Sequence, residues 1–151
     1  RRHVIGAYHV NVARQLAAAL GRLHTGRACV VHSSEGLDEI GLEDETKVFD
    51  VDETGTISEY TVTAESFGLN TSAREALAGG NAHENVSIAL DILSGKGGPQ
   101  RDVVIANAAM AIHVAGKASS LADGAEAAAR SIDAGKAKEK LQQLIFMTSS
   151  Q

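Results

Sequence analysis

The sequence predicts an α/β fold in which a mixed sheet is flanked by helices. Three observations carry this reading. Two apolar runs near the amino terminus bracket an amphipathic stretch, a β-rich pair joined by turn residues follows, and the second half repeats its apolar residues at helical spacing.

The segment His3-Val4-Ile5-Gly6-Ala7-Tyr8 reads as the first strand. In the stretch after it, Val12, Leu16, Ala19, Leu20 and Leu23 fall at spacings of four, three, one and three, which puts them on one stripe of a helix. A second strand runs from Ala28 to His32. Strand, helix, strand makes a crossover unit, and crossovers join parallel pairs. Thr46 to Val51 and Thr56 to Thr63 are rich in Val, Thr, Phe, Ile and Tyr, and Asp52-Glu53-Thr54-Gly55 between them supplies turn residues, so these segments form a hairpin. An antiparallel hairpin added to a parallel pair makes the sheet mixed. Val48 and Phe49 are adjacent, so alternation alone does not say which face of the hairpin is buried.

Helices dominate thereafter. Asn81 with Glu84 three residues on is a capping arrangement, Val86, Ala89, Leu90 and Leu93 form an apolar stripe, and Gly95 ends the helix. The linker Gly95-Lys96-Gly97-Gly98-Pro99 holds the only proline and joins two helices. From Arg101 to Ala115 the sequence is apolar on every side, as in a helix buried inside an α/β domain, and a strand that long is excluded. Ser120 with Asp123 opens a helix carrying Leu121, Ala125, Ala128, Ala129 and Ile132, closed by Gly135. A final helix uses Ala137, Leu141, Leu144 and Ile145. Residues 1–147 read as one partial α/β domain, and Thr148-Ser149-Ser150-Gln151 as a frayed tail.

Composition narrows the function. The 151 residues are 44% hydrophobic and 22% charged, ordinary for a globular core. A net charge of −5, 14 scattered Lys and Arg residues and five aromatic residues (two Tyr, three Phe) give no basic stripe and little base stacking, which argues against a nucleic-acid partner. A single cysteine, Cys29, lies in an apolar run, so no disulfide framework exists and a reducing cytoplasm is the expected compartment. No stretch approaches the roughly 20 apolar residues of a membrane span, and no secretory signal pattern opens the chain. It begins with Arg-Arg rather than Met, which suggests truncation or cleavage.

The chemistry concentrates in one turn. Gly36-Leu37-Asp38-Glu39 follows the second strand, and open α/β sheets bind ligands beyond the carboxyl ends of their strands. Two adjacent acids there suit Mg²⁺, which takes one or two carboxylates together with substrate phosphates. The alternative is a solvated acidic turn. His32, Glu35 and Asp38 spell His-x-x-Glu-x-x-Asp, yet zinc wants three or four ligands of known local geometry, so a histidine bonded to backbone at the strand end is expected instead. Asn81 and Asn85 read as a cap and a backbone partner. Asn107, flanked by alanines on a buried helix, must find partners and is expected to brace the sheet or the acidic loop, with ligand contact as the alternative. Gly36, Gly79 and Gly80 supply positive φ or close approach. No Gly-x-Gly-x-x-Gly, phosphate-loop or nucleophile-elbow pattern occurs, which leaves hydrolase chemistry without support.

Four segments together resemble a known family. They are His32-Ser33-Ser34-Glu35-Gly36-Leu37-Asp38-Glu39, Thr63-Ala64-Glu65-Ser66-Phe67-Gly68-Leu69, Gly79-Gly80-Asn81-Ala82-His83-Glu84-Asn85 and Asn107-Ala108-Ala109, whose order and spacing are those of the anthranilate phosphoribosyltransferases of tryptophan biosynthesis. The resemblance runs through nearly the whole chain but covers only the carboxyl-terminal part of that enzyme. It implies a partial domain of the nucleoside phosphorylase and phosphoribosyltransferase type, a magnesium cofactor, and Asp38 and Glu39 as the metal-binding acids. It implies phosphoribosyl pyrophosphate and anthranilate as substrates and a family homodimer. The family's helical domain, glycine-rich pyrophosphate loop and substrate-binding residues match positions before Arg1, so no catalytic residue is assigned, and this chain alone is expected to be inactive. Two alternatives stand beside that reading. One is a non-catalytic interaction module whose sheet edge needs a partner chain carrying the amino-terminal half; the other is a relative acting on another aromatic amine or a nucleoside.

Overall fold

The computed structural model describes residues 1–149, and its sheet order is the order of the chain. β1 (Arg2–Gly6) pairs parallel with β2 (Arg27–Ser33), and β3 (Thr46–Val51) and β4 (Ile57–Val62) follow antiparallel. The sheet is mixed, as the sequence predicts. β1 ends at Gly6 rather than Tyr8, because the chain turns there into α1 (Val10–Arg22), whose cap is His9: its Nδ1 accepts the Asn11 N–H at 3.2 Å.

α1 covers one face of the sheet through Ala13, Ala17 and Gly21, which lie at successive turns and are buried against Ala28, Val30, Phe49 and Val51. Val12, Leu16 and Leu20 flank them, whereas Ala19 is exposed and Leu23 is 71% exposed. The expected stripe is therefore rotated. Small residues occupy the centre of the contact because the helix sits close to the sheet: a Cβ on Gly21 would lie 2.7 Å from the carbonyl oxygen of Gly55, in the hairpin turn.

The other face carries the larger core, where Cys29, Val31, Val48 and Val62 meet α3 (Pro99–Val114) and α4 (Leu121–Asp133). Val48 and Phe49 point to opposite faces and both are buried, since helices cover the sheet on each side. α3 starts at Pro99, suited to a first helical position, and buries Ile105, Ala106, Ala109, Met110 and Val114. It is not enclosed all round, for Val104 is 41% exposed. α4 presses on it at Gly124, where a Cβ would come 2.7 Å from the Ala109 carbonyl oxygen.

Between β4 and the helices, Ala64–Phe67 and Arg74–Leu77 form single-turn helices that the sequence pattern did not announce. α2 (Ala82–Leu93) has the expected capping box of Asn81 and Glu84, yet none of its residues is fully buried. The expected apolar stripe is displaced: Ile88, Ile92 and Leu93 are the half-buried residues, Ala89 is exposed, and Val86 and Leu90 are 59% and 43% exposed. α5 (Lys136–Thr148) turns in Ala137 and Leu141 but leaves Leu144 and Ile145 exposed. Its last residue, Thr148, belongs to the segment expected to fray, while Ser150 and Gln151 lie outside the described residues.

Candidate functional site

The acidic turn is built as a chain of backbone anchors. At the end of β2 the buried Ser33 holds the turn's start: its N–H donates to Leu37 O (3.1 Å), its hydroxyl oxygen accepts the Glu35 N–H (3.2 Å), and its carbonyl accepts the Gly36 N–H (3.0 Å). Gly36 takes φ 83°, the left-handed conformation this turn needs. Glu35 folds back, and its Oε1 accepts the N–H groups of Glu43 (3.0 Å) and Asp44 (3.1 Å), shaping the return toward β3. Arg74 fastens the outside, donating from Nη1 to Glu35 O (2.8 Å) and from its backbone to a Glu43 carboxylate oxygen (2.8 Å).

Asp38 and Glu39 sit between two further anchors. On one side the Asp38 carbonyl oxygen packs directly onto Gly6 at the carboxyl end of β1, filling the space a side chain would occupy. On the other, the Asn107 amide of α3 grips the backbone of Ile40: Oδ1 accepts its N–H (3.0 Å) and Nδ2 donates to its carbonyl (3.1 Å), with a second Nδ2 bond to Val103 O (2.9 Å). The buried Ile40 and Leu42 then plug into the larger core. The backbone of the pair is thus fixed while both acidic residues remain exposed.

Glu39 lines a cleft of about 430 Å³ between the turn, α2 and α3, with Asn85, Gln100, Ile88, Ile92 and Val104 among its walls. Desolvation by the surrounding atoms raises the pKa of its carboxyl above the ordinary value, and the neighbouring charge of Asp38 adds to the effect. Two adjacent hard-oxygen donors on a pinned backbone can do one thing chemically, which is to concentrate negative charge at the end of a core strand.

Residues 1–138 match the glycosyl transferase family, a/b domain. The chain belongs to this family. It is 39% identical over 147 residues to the anthranilate phosphoribosyltransferase of Methanobrevibacter smithii, covering 97% of this chain and 44% of that protein. It is 43% identical over 147 residues to the enzyme of the same name from Syntrophotalea carbinolica, covering 97% of this chain and 42% of that one. Among solved structures, anthranilate phosphoribosyltransferase from Thermus thermophilus superposes with a TM-score of 0.81 at 34% identity, over 91% of this chain and 40% of that one. The Saccharomyces cerevisiae enzyme in complex with PRPP and Mg gives 0.90 at 25% identity, over 99% and 43%. The matched stretch is the carboxyl-terminal part of these enzymes, and the chain spans less than half their length.

Within this glycosyl transferase domain the His-x-x-Glu-x-x-Asp pattern is not gathered into a ligand set. His32 Nδ1 donates to the Ala7 carbonyl (2.9 Å), Glu35 Oε1 accepts backbone N–H groups while its buried Oε2 has no hydrogen-bond partner, and among the described residues no group of three or more His, Cys, Asp or Glu is placed to hold a metal. Asn107 braces the acidic loop, as expected of an amide that must find partners. Asn81 caps α2, and Asn85 bonds both backbone groups of Gly80, at 2.8 Å and 3.1 Å. Sequence reasoning missed Gly6 and Arg74. Gly6 carried a signal, a glycine at a strand end where another backbone approaches; Arg74 carried none, because its partners are 31 and 39 residues away.

Proposed function

We propose that this chain is the carboxyl-terminal portion of an anthranilate phosphoribosyltransferase, which joins anthranilate to phosphoribosyl pyrophosphate to give phosphoribosyl anthranilate and pyrophosphate. The observation that carries the proposal is the exposed Asp38-Glu39 pair, pinned by Gly6 and Asn107 at the end of β2 beside an open cleft. Carboxylate oxygens at neighbouring positions, with room for water around them, fit Mg²⁺, which binds by few protein ligands together with phosphate oxygens. Asp38 and Glu39 are the residues that would hold it. When bound, the ion offsets the negative charge that gathers on the departing pyrophosphate.

The chain's own contribution is positional. Gly6 and Asn107 fix the turn, so that its backbone need not be ordered at the moment of binding, and the mutual repulsion of the two carboxylates favours taking up a cation. The amine of anthranilate is itself the nucleophile, so the protein need not provide one. By this reading the reaction belongs to an enzyme of which this chain matches 42–44%, and the chain alone does not turn over. The tests are calorimetric and kinetic. Whatever binding of phosphoribosyl pyrophosphate this portion retains should depend on Mg²⁺ and be lost after Asp38→Ala with Glu39→Ala. In a steady-state assay with both substrates, product above that double-variant control would overturn the proposed inactivity.

The exposed apolar residues Val86 and Leu90 on α2 and Val104 on α3 favour a second reading, a module that docks on a chain carrying the amino-terminal half. Mixing with such a half separates the two: recovered activity marks a split enzyme, and co-folding without activity marks a structural role.

A further inference from the structure

A second cleft, sharing no residue with the one that Glu39 lines, opens where α1 begins. Paired residues run as rungs across β2, β3 and β4: Val30, Phe49 and Glu59 form one, and His32, Lys47 and Thr61 form the next on the same face. α1 covers Val30 and Phe49. The helix starts at Val10, so the polar rung beyond it is uncovered and bounds a cleft of about 270 Å³ completed by Val10, Ser34 and Glu45.

The chemistry of this rung is specific. His32 gives its Nδ1 hydrogen to the Ala7 carbonyl, which can only accept, so in the neutral ring Nε2 is the lone-pair acceptor. Lys47 lines the cleft, and among the described residues its ammonium has no hydrogen-bond or ion-pair partner, even though Glu45 lines the same cleft. An unpartnered ammonium at a cleft can take an anion through a charge-assisted hydrogen bond. The Ser34 hydroxyl hydrogen is committed to the Glu45 carbonyl at 2.9 Å, so its oxygen faces a ligand as an acceptor. Thr61 adds a hydroxyl next to Lys47.

We propose that this cleft binds a small phosphate-type oxyanion, free or as the monoester of a small hydroxylated molecule. Lys47 supplies the charge, Thr61 donates a hydrogen bond, and His32 Nε2 accepts the hydrogen of a monoprotonated phosphate. Glu45 also lines the cleft, so its negative charge limits the ligand to one anionic group, held by Lys47. The proposal stands apart from the metal reading, since it uses neither Asp38 nor Glu39.

The experiment is an NMR titration of the labelled 151-residue chain with inorganic phosphate and, in a separate arm, with ribose 5-phosphate, at constant ionic strength. Saturable shifts centred on His32, Lys47 and Thr61 are expected. Lys47→Met should weaken binding about tenfold or more, the loss of one charge-assisted contact, whereas Lys47→Arg should retain it. Tighter binding of ribose 5-phosphate assigns the site to the monoester, and equal binding assigns it to the free ion. The Asp38→Ala with Glu39→Ala chain should bind both probes as the parent does. Shifts that never saturate, shifts spread evenly over Lys96, Lys117 and Lys138, or a folded Lys47→Met chain with undiminished affinity would each overturn the proposal.

Discussion

The carbonyl oxygen of Asp38 rests on the Cα of Gly6, and no side chain larger than hydrogen fits between them. Two segments distant in sequence, the end of β1 and the acidic turn, are thereby locked together, and the lock acts on backbone rather than on the carboxylates. Gly6→Ala is expected to force that turn away from β1 and to destabilise the fold by about 1–3 kcal/mol, the usual cost of overpacking. Denaturant unfolding reads the stability loss, and calorimetry with Mg²⁺ and phosphoribosyl pyrophosphate should show weaker binding from the same substitution.

Asn107 is the opposing clamp. Asn107→Leu would leave the N–H and carbonyl of Ile40 without their partners in a part-buried setting, at a cost of about 1–3 kcal/mol for each group left unsatisfied. Chemical denaturation measures it. Asn107→Asp keeps the bond from the Ile40 N–H but sets a carboxylate against two carbonyls, so it should be at least as damaging at neutral pH.

Asp38→Asn and Glu39→Gln address binding without folding. Both residues are exposed and neither side chain makes a structural hydrogen bond among the described residues, so each variant should unfold at the parent's midpoint while losing Mg²⁺-dependent ligand binding. A large midpoint shift would mean that the pair is structural.

Burial pushes the Cys29 thiol up to about 12, with the charge of Asp50 adding to the effect. The thiolate that alkylating agents attack is therefore scarce near neutral pH. Native protein at a pH of about 8 should react with iodoacetamide far more slowly than unfolded protein, and mass spectrometry after timed quenching checks the ratio.

Hydrogen bonds hold the Asp52 carboxyl below its usual 3.8 in the hairpin turn, first from the Thr54 side chain and then from the backbone of Thr56 and Thr54. A depressed carboxylate stabilises the folded chain above its unfolded value, and that contribution is lost as pH falls through the lower folded one. Unfolding midpoints of the parent and Asp52→Asn chains, compared from neutral pH downward, should therefore converge only below pH 3.8.

Local rules made much of the fold legible. The hairpin was written in Asp52-Glu53-Thr54-Gly55 and its β-rich flanks, the start of α2 in Asn81 with Glu84, the start of α4 in Ser120 with Asp123, and the bracing of the acidic loop in the need of the Asn107 amide for partners. Each rests on interactions within a few residues or on a group that cannot stay unpaired. The α1 stripe was less legible, because sequence periodicity ranks residues by size, whereas close packing on a sheet selects Ala13, Ala17 and Gly21. For α2 the pattern named Val86 and Leu90 as core, and the fold leaves them facing solvent.

The sequence by itself determined the order of the strands and the longer helices, the parallel and antiparallel pairings and the position of the acidic pair at a strand end, since helical periodicity, capping and turn chemistry are short-range. Tertiary structure alone decided which backbone groups hold that pair, through Gly6 and Asn107, and which polar rung escapes the cover of α1. Those are contacts between distant segments, and their geometry depends on how closely helix and sheet approach, a quantity that no local spacing encodes.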